Sequence, residues 1–321
     1  MSINSANIVT AFGAYYIPEG QNMDRLREQL RQPSVTPSYA IPIIHDGDVY
    51  RFSNVTLGQI VQGFQKGFTP KGDLTFEPNE IRLRNIKIDL SLFPDDVKGR
   101  WLGFLAGLPN DMERKNWPIV KYLMEKHVAT QIGHDMELQA YFNGSYVAPT
   151  PGTPSAASAV LDGVKKLLDA GITGSTMQAV TLSSVITETN AFDRIEQFVD
   201  NFDPLLSSVP VTVYMSTKML KWYLRDKRNT HGTDVNYVAG KVTVDFAENV
   251  KLVGLPSMGN SGYVWATPDD NFLYLRKANG MSDPKIEEAK REVNIMLDWW
   301  EGLGFGYNAL VYVYKPGQEE E

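Results

Sequence analysis

The sequence predicts an α+β fold, and three stretches carry the prediction. Residues 81–90, I-R-L-R-N-I-K-I-D-L, set Ile81, Leu83, Ile86, Ile88 and Leu90 among Arg82, Arg84 and Lys87. A period of two with charge on the other face is a half-buried antiparallel strand. Residues 117–142 repeat Val120, Leu123, Met124, Val128, Ile132 and Met136 at three- and four-residue spacing, the stripe of an amphipathic helix. At 1.5 Å per residue such a helix is roughly 38 Å long. Residues 250–277 break into short apolar runs separated by Gly, Pro, Ser and Asn, which is how strands and tight connections look in sequence.

Size and composition bound the function. A chain of 321 residues, 43% hydrophobic and 21% charged, can bury a sizeable core and has room for more than one lobe. It has no cysteine, which removes disulfides, thiolate nucleophiles and Cys-ligated zinc. No apolar run reaches the roughly 18 to 20 residues that span a bilayer, so no membrane partner is expected. Residues 1–16 lack the basic region and long apolar stretch of a secretory signal. The formal charge is −7, from 31 basic and 38 acidic residues. That argues against a whole surface that grips nucleic acid, but not against a protein that surrounds it.

Taken in order, residues 1–44 show little periodicity beyond a short helix at 23–31. Pro33, Pro37 and Pro42 then push their predecessors out of the helical region. Such a segment is either flexible or laid against something else. Val49, Tyr50 and Phe52 suggest a strand, and Leu74 and Phe76 another, with glycines and prolines between them. With the alternating run at 81–90 they make a long hairpin that is marginal alone. In the helix at 117–142, Asn116 can cap, Pro118 sits in the first turn and Gly144 can stop it. A Pro/Ser/Thr/Ala-rich boundary leads to a helix at 156–170 ended by Gly171. Thr187 or Asn190 can cap a helix at 191–206. Residues 211–215 form a strand, and Ser216 or Thr217 can cap the helix at 218–228. Residues 229–237 are a polar loop. The charged segment 285–291 fits helix or loop. Residues 292–300 form a strand, Gly302, Gly304 and Gly306 a connection, and 309–314 a closing strand before an acidic end.

Catalytic patterns are missing. There is no G-x-S-x-G, no phosphate-binding glycine loop and no H-E-x-x-H. His127 and His134 lie two helical turns apart, roughly 10 Å, too far to share a metal ion. Asp95-Asp96 and Asp269-Asp270 read as solvated turn residues. Tyr15-Tyr16, Trp299-Trp300 and Phe305/Tyr307 lack an interleaved basic stripe and read as core or interface. No cofactor or metal is expected.

One resemblance fits this order. Leu252-Val253-Gly254, Ser257-Met258-Gly259, Ala266-Thr267-Pro268 and Asn271-Phe272-Leu273 resemble the late part of tailed-bacteriophage major capsid proteins of the Hong Kong 97 type. The resemblance implies an N-terminal arm at 1–45 that packs on a neighbouring subunit. It implies an extended hairpin loop at 46–94 and a peripheral domain with a long spine helix at 95–147. An α/β axial domain would take 148–281, with return strands beginning near 250. Closing strands of the peripheral domain and an acidic tail would take 282–321. It implies a non-enzymatic chain that forms hexamers and pentamers of itself. Its expected partners are a scaffolding protein, a portal and auxiliary capsid proteins, around packaged double-stranded DNA. Lys71, Asp73, Glu77, Arg82, Arg84 and Lys87 are then the expected inter-subunit contacts. Reversing Arg82 and Arg84 together is expected to impair assembly more than folding. Two alternatives stay open, an encapsulin-like compartment and a monomeric α/β enzyme with scattered site residues.

Overall fold

The computed structural model describes residues 5–17, 20–23, 25–26, 35–110, 114, 117–232, 240–245, 247–281, 283–289 and 292–317. The chain begins with helix α1 (Ser5–Tyr15), strands β1 (Ile41–Ile44), β2 (Val49–Leu57), β3 (Leu74–Arg82) and β4 (Arg84–Leu92), and helix α2 (Pro94–Ala106). A long helix, α3, fills residues 119–140 in four consecutive pieces. Helix α4 (Val164–Thr173), strand β5 (Gln178–Ala179), helix α5 (Ala191–Asp200), strand β6 (Val211–Ser216) and helix α6 (Thr217–His231) follow. Strands β7 (Thr243–Val244), β8 (Ala247–Leu255), β9 (Val264–Pro268) and β10 (Phe272–Met281) come next. Strands β11 (Lys285–Ala289), β12 (Glu292–Phe305) and β13 (Tyr312–Tyr314) close the chain.

These elements form three sheets. In the first, β12 pairs with β4 on one edge and with β10 and β11 in succession on the other, and β1 adds to β10. The second is six-stranded, in the order β5-β13-β9-β6-β8-β7, with α5 and α6 packed together beside it. The third is β2 paired with β3 alone. Rings from both large sheets meet in one core. Tyr214 stacks on Trp265 at 4.1 Å, and Trp265 meets Phe272 and Phe305 edge-on at 5.3 and 5.5 Å. The arrangement is α+β.

Helix α3 buries the predicted face: Val120, Leu123, Met124, Val128 and Met136 are buried, and Ile132 is partly so. It starts at Ile119, with Pro118 in the N-cap position; the predicted cap Asn116 lies outside the described residues. Two stretches, Tyr122–Val128 and Met136–Ala140, have widened π-type turns. Six consecutive residues, Ile119 to Met124, are buried because other elements surround that end. There α1 supplies Ile8, Phe12 and Tyr16, and β12 supplies Val293 and Ile295. Phe104 of α2 packs on Tyr122 at 4.9 Å. Of the two readings for residues 1–44, α1 is laid against other elements, here those of its own chain. The segment after α1 is also tied in. The Thr36 amide and hydroxyl donate to Glu137 at 3.1 and 2.7 Å, and its hydroxyl bonds Ser257 at 2.6 Å. Residues 24 and 27–31 of the expected helix at 23–31 lie outside the described residues.

Other expectations shift for local reasons. Helix α4 starts at Val164 rather than 156 and runs through Gly171, which is buried against the Met177 side chain. Helix α5 ends at Asp200, and a short 3-10 turn, Pro204–Ser208, follows. Its first turn is capped from another helix, the Phe192 amide donating to Asp226 of α6 at 2.9 Å. Asn190 instead accepts from the Thr187 amide at 2.7 Å. Ser216 caps α6 as expected, accepting from the Met219 amide at 3.1 Å. That helix extends to His231. Residues 229–231 of the expected polar loop are therefore helical, and residues 233–237 lie outside the described residues.

Two corrections concern the first sheet. The charged segment at 285–289 is an edge strand, β11, paired with residues 292–296. Gly302 and Gly304 lie inside β12 rather than in a connection. A Cβ on Gly302 would sit 2.5 Å from the Arg82 carbonyl oxygen, and one on Gly304 would sit 2.5 Å from the Ile81 side chain. The corner between β3 and β4 therefore rests directly on this bare stretch of β12. Gly302→Ala is expected to cost about 2 kcal/mol, since backbone must shift to admit the methyl group. Gly99→Ala, on α2 with nothing within 4 Å, is expected to stabilise by up to about 1 kcal/mol. Chemical denaturation midpoints check both, and equal midpoints would refute the close-approach account.

Candidate assembly surface

The hairpin is the part of the chain least able to stand alone. Its ladder runs nine residues in register, from Val49 opposite Arg82 to Leu57 opposite Leu74. The period-two run at 81–90 does not continue it. The run breaks at Leu83, and its second half, β4, joins β12 in the first sheet. The alternation slips phase between Leu83 and Ile86, which is the sequence trace of that corner.

Beyond Leu57 every residue of the tip, 58–73, is exposed. It is nonetheless shaped. Gly58 donates to the Asp73 carbonyl at 3.0 Å, Gln62 to the Thr69 carbonyl at 2.7 Å, and Lys71 to the Val61 carbonyl at 2.6 Å. On this loop Phe64 and Phe68 are each 96% exposed and Val61 84%. Val55, Leu57, Leu74 and Phe76 add apolar surface below them. Two aromatic rings held in water by a hydrogen-bonded loop make an exposed apolar patch.

The hairpin is fixed at its root. Asn79 donates to the carbonyls of Phe305 and Gly306 at 3.0 and 3.2 Å. Lys277 pairs with Asp48 and lies 3.5 Å over the Trp300 ring. Ile81 and Leu83 are buried with Leu273 and Leu275.

The six expected contact residues do not form one cluster. Lys71 and Asp73 lie on the return side of the tip, and Glu77 stands opposite Asn54 in the ladder. Arg82 is at the root, paired with exposed Glu80 at 2.5 Å; hydrogen bonding from Arg82 holds the Glu80 carboxyl below its usual range. Lys87 pairs with Asp89 on the outer part of β4 at 2.5 Å. Arg84 points into its own chain, 3.6 Å over the Tyr146 ring and 3.4 Å from Asp162. Burial alone would raise the Asp162 carboxyl. Hydrogen bonds from Lys166, the Tyr146 amide and Arg84 outweigh it and hold the group below its ordinary value. The double reversal at Arg82 and Arg84 therefore mixes two effects. Arg84→Glu alone is expected to destabilise the fold by about 2 kcal/mol, and Arg82→Glu alone by less than about 0.5 kcal/mol. Thermal or chemical denaturation of the single variants separates them, and equal losses would contradict this placement of Arg84.

Sequence reasoning pointed to charges and missed the aromatic tip. The signal was present as G-F-Q-K-G-F, two phenylalanines in a turn-rich stretch with no apolar partner nearby. A groove of about 560 Å³ lies between β4 and α3, lined by Ile86, Ile88, Leu123, Val128 and Met136. His127 is exposed at its rim against Tyr122, and His134 is exposed too. Asp269 and Asp270 are exposed in the β9–β10 turn, where Asp269 accepts from Thr212 at 2.5 Å. Among the described residues no group of acidic and histidine side chains could hold a metal ion, and no helix is long and apolar enough to cross a membrane.

No family model matches the sequence, and no curated protein matches it by sequence. Solved structures do match in fold. A chain of the satellite phage P4 procapsid, in a structure that includes size determination (Sid) protein, aligns with a TM-score of 0.57 at 13% identity. The match covers 98% of this chain and 96% of that one. A chain from the capsid of a native GTA particle aligns at 0.54 and 10% identity, covering 89% and 97%. A chain of Gordonia phage Cozz aligns at 0.51 and 12% identity, covering 88% and 86%. The chain shares its fold with these chains of phage and capsid particles.

Proposed function

We propose that this chain is the major capsid protein of a tailed phage, a structural subunit that assembles with itself into a closed shell. The observation that carries the reading is the hairpin tip. It is a hydrogen-bonded loop with two almost fully exposed phenylalanines, on a chain of which 98% aligns in fold with a chain of a phage procapsid. A shell gives every such tip a neighbour. In this reading pentamers and hexamers close into an icosahedral lattice around double-stranded DNA, in the virion, after assembly in the host cytoplasm. The tip with Lys71, Asp73 and Glu77, together with Arg82 and Lys87, faces neighbouring subunits. The segment 95–147 and the long strands form the peripheral part, and 148–281 the axial part around five- and six-fold centres. A scaffolding protein, a portal and auxiliary capsid proteins complete the particle. A subunit of charge −7 would keep packaged DNA from adhering to the wall, since acidic surface and phosphate repel.

Negative-stain electron microscopy of particles from producing cells, with nuclease protection of their contents, tests this. The expected result is closed shells holding protected double-stranded DNA. Shells filled with protein and no DNA would transfer the chain to the compartment reading. A monomer at every concentration and salt would refute self-assembly.

A further inference from the structure

Glu301 sits where the hairpin root meets the rest of the chain. It lies on β12 and is 3% exposed. In register it stands opposite Arg84 on β4 and Arg276 on β10. In-register antiparallel neighbours share a face, with Cβ atoms about 5 Å apart. Both flanking strands anchor the hairpin. Strand β4 follows β3 after the single residue Leu83. Strand β10 carries Lys277, the partner of Asp48 just before β2.

The carboxylate is incompletely partnered. One oxygen accepts from the Tyr274 hydroxyl at 2.8 Å, while the other, Oε1, has no hydrogen-bond partner among the described residues. Arg84 is in the complementary state. Its buried Nε also lacks a hydrogen-bond partner among the described residues, while its far end faces Asp162 and Tyr146. An orphan acceptor and an orphan donor thus face the same side of one sheet, on directly opposed residues.

We propose that Glu301 and Arg84 form a proton-operated latch at the hairpin root. With Glu301 protonated, Arg84 stays on Asp162 and ties β4 to the turn ahead of α4. When Glu301 loses its proton to water, it draws Arg84 across the strand pair and that tie loosens. Asp162 is not stranded, because Lys166 remains on it at 2.5 Å.

The surrounding groups set the sign. Burial pushes the Glu301 carboxyl up to about 7, against the opposing pull of Tyr274, Trp299 and Tyr141. The charge therefore changes in the neutral range, well above an ordinary glutamate. Asp162 is held low and stays ionised throughout. Burial drives the Tyr274 hydroxyl far upward, so it stays neutral. The charged groups that face Glu301 from packed elements are Arg84 and Arg276, with Asp162 and Lys166 behind Arg84. Arg276 is half-buried and competes with Arg84. Arg84 is favoured because its Nε is already buried and unsatisfied.

Hydrogen–deuterium exchange of the full chain, corrected for the intrinsic pH dependence of exchange, tests the latch. Between about pH 5.5 and about pH 8.5, exchange at residues 82–86 and at the Tyr146 amide is expected to rise about tenfold beyond the correction. In Glu301→Gln the rise is expected to vanish. A wild-type chain with no rise, or a Gln variant with the same rise, would overturn the proposal. If Glu301→Gln does not fold, Asp162→Asn serves instead. It is expected to exchange fast at both pH values, and an unchanged pH step there would overturn the proposal. Any role of the latch in a shell rests on the capsid reading above. The exchange result needs no shells, so either idea can fail without the other.

Discussion

Trp265→Ala is expected to cost about 4 kcal/mol of folding stability, near the upper range for removing a large core aromatic. The indole is fully buried. It stacks on Tyr214 of β6 and meets Phe272 of β10 and Phe305 of β12. Deleting it would leave a cavity between the two large sheets, and three rings fixed by separate strands cannot collapse into it freely. Its Nε1 has no hydrogen-bond partner among the described residues, so Trp265→Phe removes a buried unsatisfied donor, a change worth about 1–3 kcal/mol. That gain offsets much of the lost volume, and the phenylalanine variant is expected to stay within about 1.5 kcal/mol of wild type. Chemical denaturation of both variants gives the answer. A loss below about 1 kcal/mol for Ala would mean that the two sheets do not share this core.

Removing the tip rings is expected to have the opposite profile. Phe64→Ser with Phe68→Ser should leave folding stability within about 0.5 kcal/mol, because both rings are 96% exposed and touch no core. Particle yield should fall at least about tenfold. A buried aromatic anchor at an interface carries about 2 kcal/mol or more, and the loss recurs at every contact in a closed lattice. Sedimentation of expressed material separates shells from free subunits. Normal shell yield from a normally folded variant would remove the tip from the assembly surface.

Much of the fold was legible in the sequence where the pattern is local. The stripe in α3, the largely apolar run of β6, the Ser216 cap and the turns around β9 each follow from a few neighbouring residues. What was not legible depends on distant partners. The segment 285–289, K-I-E-E-A, is a strand only because β12 offers an edge there. Gly302 and Gly304 look like a loop until the β3–β4 corner is seen resting on them. Residues 8, 12 and 16 make core because α3 and β12 receive them. The candidate assembly surface was half legible. The hairpin could be read from its alternation and turns, but its charges drew attention from Phe64 and Phe68. Glu301, in W-W-E-G-L-G-F, gives no sign in sequence that it is buried.

The order in which β12 finds its partners bears on how the chain is made. Ser91 and Glu292 touch across 201 positions of sequence, and the ladder between β4 and β12 is built entirely of such distant pairs. A ribosome therefore releases β1, β4 and the hairpin long before the strand that organises them exists. Until residue 305 is synthesised, these segments carry open backbone edges and an apolar loop with no native neighbour. Loop closure over that distance is slow, and exposed edges aggregate while they wait. Synthesis rate and chaperone supply, more than final stability, should therefore set how much of this chain reaches its native state.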